Sequence, residues 1–129
     1  MIKELTIETT KRNELIDITE LIIEQLKDKK NELVTLHIPH TTAAITINEG
    51  ADPDVKDDIL QKLEKLVPKD DDYKHSEGNS DAHIKATIIG STINLIAEDG
   101  KIFLGTWQSI FFCEFDGPRK RKIIIKIGA

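Results

Sequence analysis

The histidines are the residues of this sequence best suited to chemistry, and two of the four, His75 and His83, stand on either side of a Glu-Gly-Asn turn. His83 falls in the first turn of a helix predicted to begin near Ser80. There the helix dipole disfavours a positive charge and so favours neutral imidazole, which is the form that binds metal ions. The histidine spacing matches no standard metal motif. The alternative is that Ser80 and Asp81 only cap the helix and His83 packs on the sheet.

The turn itself and one arginine are candidates for ligand binding. Unpaired N–H groups at a helix start can bind an anion, and Gly78 would allow it to approach closely. Glu77 and Asn79 also lie in the turn, where acidic and amide side chains are usually exposed to solvent. Arg119 opens the basic cluster of residues 119–122. A guanidinium can bind phosphate through paired hydrogen bonds, so Arg119 is either a phosphate ligand or an ordinary surface residue.

The other two histidines flank the end of a strand predicted over residues 33–38. Side chains alternate between the two faces of a strand, so His37 projects on the more polar face. His40 follows the apolar face, after a break at Pro39. It opens His-Thr-Thr, which places three polar side chains at the end of an apolar strand. We therefore expect His37 to be a surface residue and His40 to be a candidate for a pocket.

The only tryptophan of the chain, Trp107, follows a Gly-Thr bend. In an extended strand it shares one face with Phe111 and Phe115, which predicts three core side chains. Gln108 alternates to the opposite face.

The elements that must position these residues are predicted from periodicity and caps. A helix runs from Thr19, its N-cap, to about Lys27, and a second helix is opened by Asp52-Pro53 and ended by Pro68. A third helix covers residues 80–89. Strands are predicted at the N-terminus and over residues 33–38, 43–48, 92–97, 102–104, 107–115 and 122–127.

Two Asp-Gly pairs, at residues 99–100 and 116–117, favour hairpin turns, because both positions tolerate positive φ. They predict that the last four strands form an antiparallel meander. The fold class is α+β, a mostly antiparallel sheet or sandwich with two or three helices packed on it. A length of 129 residues fits a single domain, residues 1–129.

Composition and charge exclude several classes of partner. A net charge of −5 argues against binding to nucleic acid or to anionic membranes, since both require a basic surface. No stretch approaches the length of a membrane span, and the first residues do not resemble a signal peptide. One cysteine cannot form an internal disulfide and suits a reducing compartment. We expect a cytoplasmic protein.

Three stretches together resemble a known family. They are PHTTAAITINEGADPDV, HSEGNSDAHIKA and LGTWQSIFFCEFDGPRKR, in this order along the chain. They are similar to the YjbQ-like family, also called the secondary thiamine-phosphate synthase family, and the resemblance extends over nearly the whole chain. It implies an α+β domain assembled as a homotrimer with pockets near subunit interfaces. It also implies a weak thiamine-phosphate synthase activity, which joins a pyrimidine diphosphate to a thiazole phosphate and releases pyrophosphate.

The resemblance also carries over to individual residues of this sequence. The matched substrate-binding candidates are Thr41, Thr42, Gly78, Asn79, Trp107, Gln108 and Arg119. Glu77 and Asp116 become the candidate catalytic acid/base groups. His40, His75 and His83, if brought together with one open position, would form a site for a divalent metal, with zinc expected.

Two alternatives stay open. Release of pyrophosphate usually uses Mg²⁺ bound by oxygen ligands, whereas imidazoles suit Zn²⁺. A histidine site therefore points equally to metal-dependent hydrolysis. The other alternative is a non-catalytic module that binds a small anionic metabolite.

Overall fold

The computed structural model describes residues 1–128, and it has the predicted α+β architecture. The elements, in chain order, are β1 Ile2–Glu8, β2 Glu14–Asp17, α1 Thr19–Glu24, β3 Glu32–His37, β4 Ala43–Glu49, α2 Pro53–Leu66, α3 Ser80–Ile89, β5 Thr92–Glu98, β6 Lys101–Ile102, β7 Gln108–Glu114 and β8 Lys120–Ile127.

The strands form two antiparallel sheets. One has five strands in the order β1-β8-β3-β5-β6, and the other has three in the order β2-β7-β4. The predicted meander is therefore correct only for the β5–β6 hairpin, whose turn residues Asp99 and Gly100 have φ of 50° and 77°. Strands β7 and β8 belong to different sheets, so Asp116-Gly117 is a crossover and not a hairpin turn. Strand β7 pairs with β2 and β4, and strand β8 pairs with β1 and β3. Neither strand therefore has a free edge at which the other could pair.

The molecule is layered, with a core on each side of the three-stranded sheet. Strand β7 supplies both cores. Ile110 and Phe112 join the cluster shared with the five-stranded sheet, while Phe111 and Cys113, with Phe115 just after the strand, join the cluster that includes residues of α2 and α3. Alternation along one strand thus buries both of its faces. The prediction that a tryptophan would join Phe111 and Phe115 is wrong, because Trp107 precedes the strand and its side chain is 64% exposed.

A side-chain cap marks the start of α2, whereas α1 and α3 begin without one. In α2, Asp52 accepts a hydrogen bond from the Asp54 N–H at 2.9 Å, and Pro53 occupies the first turn, as predicted. Thr19 does not cap α1. Its Oγ1 instead accepts from the Ile110 N–H at 2.9 Å, which ties the helix start to β7. In α3, Asn79 is the N-cap position and makes no side-chain cap hydrogen bond.

Candidate functional site

His40 is positioned by the departure of the chain from β3. After His37 the Ile38 N–H donates to Ser91 O at 2.8 Å, and Pro39 has no N–H to donate. The imidazole of His40 then reaches back to β8, where its Nε2 accepts from the Lys122 N–H at 2.8 Å. His40 is partly buried, whereas His37 is exposed and its Nδ1 lies 2.7 Å from Thr92 Oγ1. His37 is a surface residue, as predicted. Strand β3 ends at His37, so the position of His40 is set by the chain beyond the strand and not by a strand face.

Three neighbouring cavities share residues and form what we call the histidine groove. The first, of about 500 Å³, is lined by His40, Thr41, Ser91 and Arg119 among others. The second, of about 370 Å³, is also lined by His40, Thr41 and Ser91, and it includes His83. The third, of about 600 Å³, contains both His83 and His75. All three predicted histidines therefore line the groove, with His83 common to its second and third cavities.

The imidazoles of His75 and His83 are in contact at the start of α3. Their ring centroids are 5.4 Å apart, with the rings nearly perpendicular. His75 Nε2 lies 3.7 Å from Glu77 Oε2. Glu77 is exposed in the turn, as its residue type suggested. Gly78 has φ of +79°, and a Cβ there would meet nothing within 4 Å. The glycine is therefore required by the backbone conformation, since nothing in this chain crowds it.

A zinc site with three histidine ligands is not assembled by the described residues. Within 1–128, no three or more His, Cys, Asp or Glu side chains lie close enough to hold a metal ion. His75 and His83 are adjacent, but His40 lines only the cavities that lack His75. The Nε2 lone pair of His40 is moreover occupied by the Lys122 N–H. The donor set of one chain does not fit the three-histidine arrangement, and zinc binding stays a prediction.

Asp116, a residue of the third motif, contacts Asn79 of the second motif. Its Oδ2 accepts from Asn79 Nδ2 at 2.9 Å and lies 3.2 Å from Arg119 Nη2. Arg119 Nε also donates to the backbone carbonyl of Asp116, which holds the half-exposed guanidinium beside the first cavity. Asn79 Oδ1 is buried and has no hydrogen-bond partner among the described residues. It is an acceptor that a donor group of a ligand could satisfy.

Arg121, which lines the first cavity, forms an ion pair with Glu114 buried below it, and the motifs did not predict this pair. Arg121 is 2% exposed and donates to both carboxylate oxygens of Glu114 and to Thr42 Oγ1, the last at 2.9 Å. Burial alone would raise the pKa of Glu114, but hydrogen bonds from Arg121, the Asp116 N–H and Thr9 more than offset this and lower it. Alternation along β8 could have revealed Arg121, because it shares the buried face with three isoleucines.

A second buried ionic cluster fixes α3. Lys85, 1% exposed, lies 2.7 Å from Glu64 and 3.3 Å from Asp81, and Asp81 also accepts two hydrogen bonds from Arg12 at 2.9 Å. Burial alone would raise the pKa of Asp81, but Arg12 and Lys85 more than offset it, so the pKa is lowered. Asp81 is therefore not a simple helix cap. The sequence feature that could have revealed this pair is the spacing of Asp81 and Lys85, which are opposite charges four residues apart in a helix.

Two predicted substrate-binding residues lie away from the groove. Gln108 pairs with Glu49 at one end of the β4–β7 ladder, while Ala43, which lines the second cavity, pairs with Glu114 at the other end. Six residues of strand span about 20 Å. Trp107 and Gln108 are exposed, and one chain does not bring them to His40.

The polar groups of the first cavity suit an anionic ligand. Its lining includes two imidazoles, three hydroxyl side chains and two guanidinium groups, and it contains no carboxylate. Burial, and then the charge of Arg121, lower the pKa of His40, so its imidazole is neutral at pH 7. Such groups donate hydrogen bonds to phosphate oxygens.

Fold and groove together define a class: a single α+β domain of two antiparallel sheets that carries a histidine-lined groove rich in hydrogen-bond donors. Residues 3–129 match the family model described as UPF0047 protein YjbQ-like. The chain belongs to this family. None of the helices of the described residues has the length and apolar character needed to cross a membrane.

The relatives are similar over their full length. A UPF0047 protein of Methanocaldococcus jannaschii is 51% identical over 98% of this chain and 94% of its own. The UPF0047 protein YugU of Bacillus subtilis is 47% identical over 98% of both chains.

Solved structures agree with the fold. The crystal structure of an uncharacterized conserved protein of the yjbq/upf0047 family from Clostridium acetobutylicum has a TM-score of 0.93 at 51% identity, covering 97% of this chain and 98% of that one. A conserved hypothetical protein from Thermus thermophilus also has a TM-score of 0.93, at 39% identity and with the same coverage of both chains.

Proposed function

We propose that the protein is an enzyme acting on a small phosphorylated heterocycle, by a transfer like that of thiamine-phosphate synthase. The observation that carries the proposal is the first cavity of the groove, where donors converge and no carboxylate is present, in a chain of net charge −5. In a chain that is acidic overall, a cavity lined by the cationic Arg119 and the neutral donor His40 favours an anionic ligand at this place.

The transfer assigns a role to each group. A thiazole nitrogen attacks the methylene carbon of the pyrimidine, the carbon–oxygen bond to the diphosphate breaks, and pyrophosphate leaves with the electron pair. His40 and Arg119 bind the leaving group, whose negative charge increases as the bond breaks. Thr41 adds a hydroxyl, Asn79 Oδ1 accepts from a ring amino group, and Asp116 is the nearer acid/base candidate.

A homotrimer is part of the proposal. Trp107 and Gln108 lie about 20 Å from the groove along β7, so they contribute to ligand binding only if another copy of the chain presents them. Location in the cytoplasm is proposed as well. Cys113 is free and buried, and burial raises the pKa of its thiol to about 12, which suits a structural thiol in a reducing compartment.

Two observations favour alternatives. The exposed position of Glu77 and the engagement of Asp116 with Arg119 favour a non-catalytic module that only binds the anion. The contact between His75 and His83 favours metal-dependent hydrolysis, because two adjacent imidazoles can hold a zinc ion if further ligands are supplied.

The test measures product formation from the pyrimidine diphosphate and the thiazole phosphate, with pyrophosphate release followed in parallel. Arg119→Ala should abolish most of the turnover, and Lys120→Ala is the matched control, because Lys120 is the next residue but does not line the groove. Thermal stabilisation by ligand without turnover would identify a binding module. Zinc-dependent release of phosphate from the diphosphate alone would identify a hydrolase.

A further inference from the structure

The hydrogen bond between β8 and His40 determines which nitrogen of the imidazole carries the proton. A backbone N–H can only donate, so the Lys122 N–H at 2.8 Å requires a free lone pair on Nε2. The proton of a neutral imidazole then has to be on Nδ1. The ring is in this way fixed as one tautomer by the main chain itself.

The structure explains why this contact is present. Strand β8 pairs with β3 only as far as the His37–Ile124 position, although β8 continues to Lys120. Beyond that point the chain turns away, and Ile38 bonds instead to Ser91. The imidazole of His40 therefore takes the place of a missing ladder partner for Lys122.

From this geometry we propose that His40 is a neutral Nδ1–H donor to a phosphoryl oxygen of the ligand and is not a metal ligand. The proposal deepens the proposed function and rests on it for the identity of the ligand. Among the described residues, the hydrogen bond of the His40 imidazole is the one from Lys122 to Nε2, which leaves Nδ1 available, and His40 lines two cavities of the groove. An anionic oxygen there would accept a short, charge-assisted hydrogen bond.

Metal binding through His40 conflicts with the same contact. Coordination by Nε2 would break the hydrogen bond to Lys122. Coordination by Nδ1 while Nε2 still accepts would leave both nitrogens without a proton, which is an imidazolate anion. The first form leaves the Lys122 N–H without its acceptor, and the second is incompatible with the neutral ring that burial and the neighbouring Arg121 favour.

The first experiment reads the tautomer directly. In protein labelled with ¹⁵N-histidine at pH 7.5, long-range proton–nitrogen correlation spectra should show His40 with a protonated Nδ1 and an unprotonated Nε2. His40→Ala assigns the signals. Zinc should leave them unchanged, whereas inorganic phosphate should shift the Nδ1 signal. A protonated Nε2, a doubly protonated ring, or a zinc-dependent change at His40 would each overturn the proposal.

The second experiment tests the donor role through inorganic phosphate affinity by calorimetry. His40→Ala should weaken binding about tenfold. His40→Gln should stay within about threefold of the wild type, because its amide can accept from Lys122 and also donate to phosphate. Lys120→Ala, which removes a charge outside the groove, should bind as the wild type does. Equal losses in the Ala and Gln variants would contradict the donor role.

The outcomes separate this inference from the proposed function. If phosphate binds in the groove but His40 shows the other tautomer, only the inference fails. If the Nδ1–H tautomer is present and phosphate shifts no signal of the groove, the phosphoryl ligand is refuted and the proposed function fails with it.

Discussion

The buried ion pair below the groove gives a sharp prediction of stability. Arg121→Met removes one partner of a pair in which Glu114 is 0% exposed and Arg121 is 2% exposed. Breaking a buried pair in this way costs about 3–5 kcal/mol, because the remaining charge is uncompensated. Glu114 keeps its hydrogen bonds from Thr9 and from the Asp116 N–H. We therefore expect the lower end, about 3 kcal/mol.

The assay is chemical and thermal denaturation at a fixed chain concentration, since assembly would make stability depend on concentration. At about 2.1 cal/mol/K per residue over 129 residues, a loss of about 3 kcal/mol lowers Tm by about 10 °C. Lys122→Met is the matched control. Lys122 is the next residue on the opposite face, 56% exposed, and its pair with Glu4 at 3.0 Å should contribute less than about 1 kcal/mol.

The pH dependence provides an independent check. In the wild type the pKa of Glu114 is lowered, so its contribution is present above the unfolded value and is lost as pH falls through the folded value. In Arg121→Met, burial would instead raise the pKa of Glu114, and the variant would gain stability on protonation. The difference between the two proteins should therefore shrink from pH 7 towards pH 4. If Arg121→Met costs no more than Lys122→Met at pH 7, the argument from the buried pair is wrong.

The groove and the assembly are open to three further tests. Arg119→Ala should weaken phosphate binding by about 1.5–3 kcal/mol, as expected for a charge-assisted hydrogen bond, with little change in Tm. An unchanged affinity in calorimetry would show that Arg119 is an ordinary surface residue and not a phosphate ligand. Light scattering at micromolar concentration should give three times the chain mass of 14.6 kDa, and a monomer that still binds ligand would contradict an interface pocket. If zinc is bound, elemental analysis should find it lost from His75→Ala and His83→Ala but retained in His37→Ala, and equal loss from all three variants would refute the site.

Local patterns were sufficient to locate most elements. The caps of α2, the turn at Asp99-Gly100 and the period-two strands are properties of a few adjacent residues, so they can be read without knowing the fold. The exposure of His37 followed from alternation for the same reason. The resemblance gave Asn79, Asp116 and Arg119 as separate site candidates, and Asp116 does contact both of the others.

Tertiary structure alone decided the pairing of the strands and the state of the site. Strands β7 and β8 are close in sequence but belong to different sheets. Strand β7 lies between β2 and β4, and strand β8 lies between β1 and β3, which are distant segments of the chain. Trp107 lies before the start of β7, so the alternation of that strand does not apply to it, and it is exposed. The tautomer of His40 depends on an N–H 82 positions away along the chain. A sequence pattern reports the conformation and face of a residue, whereas its hydrogen-bond partners and burial depend on segments that only folding brings together.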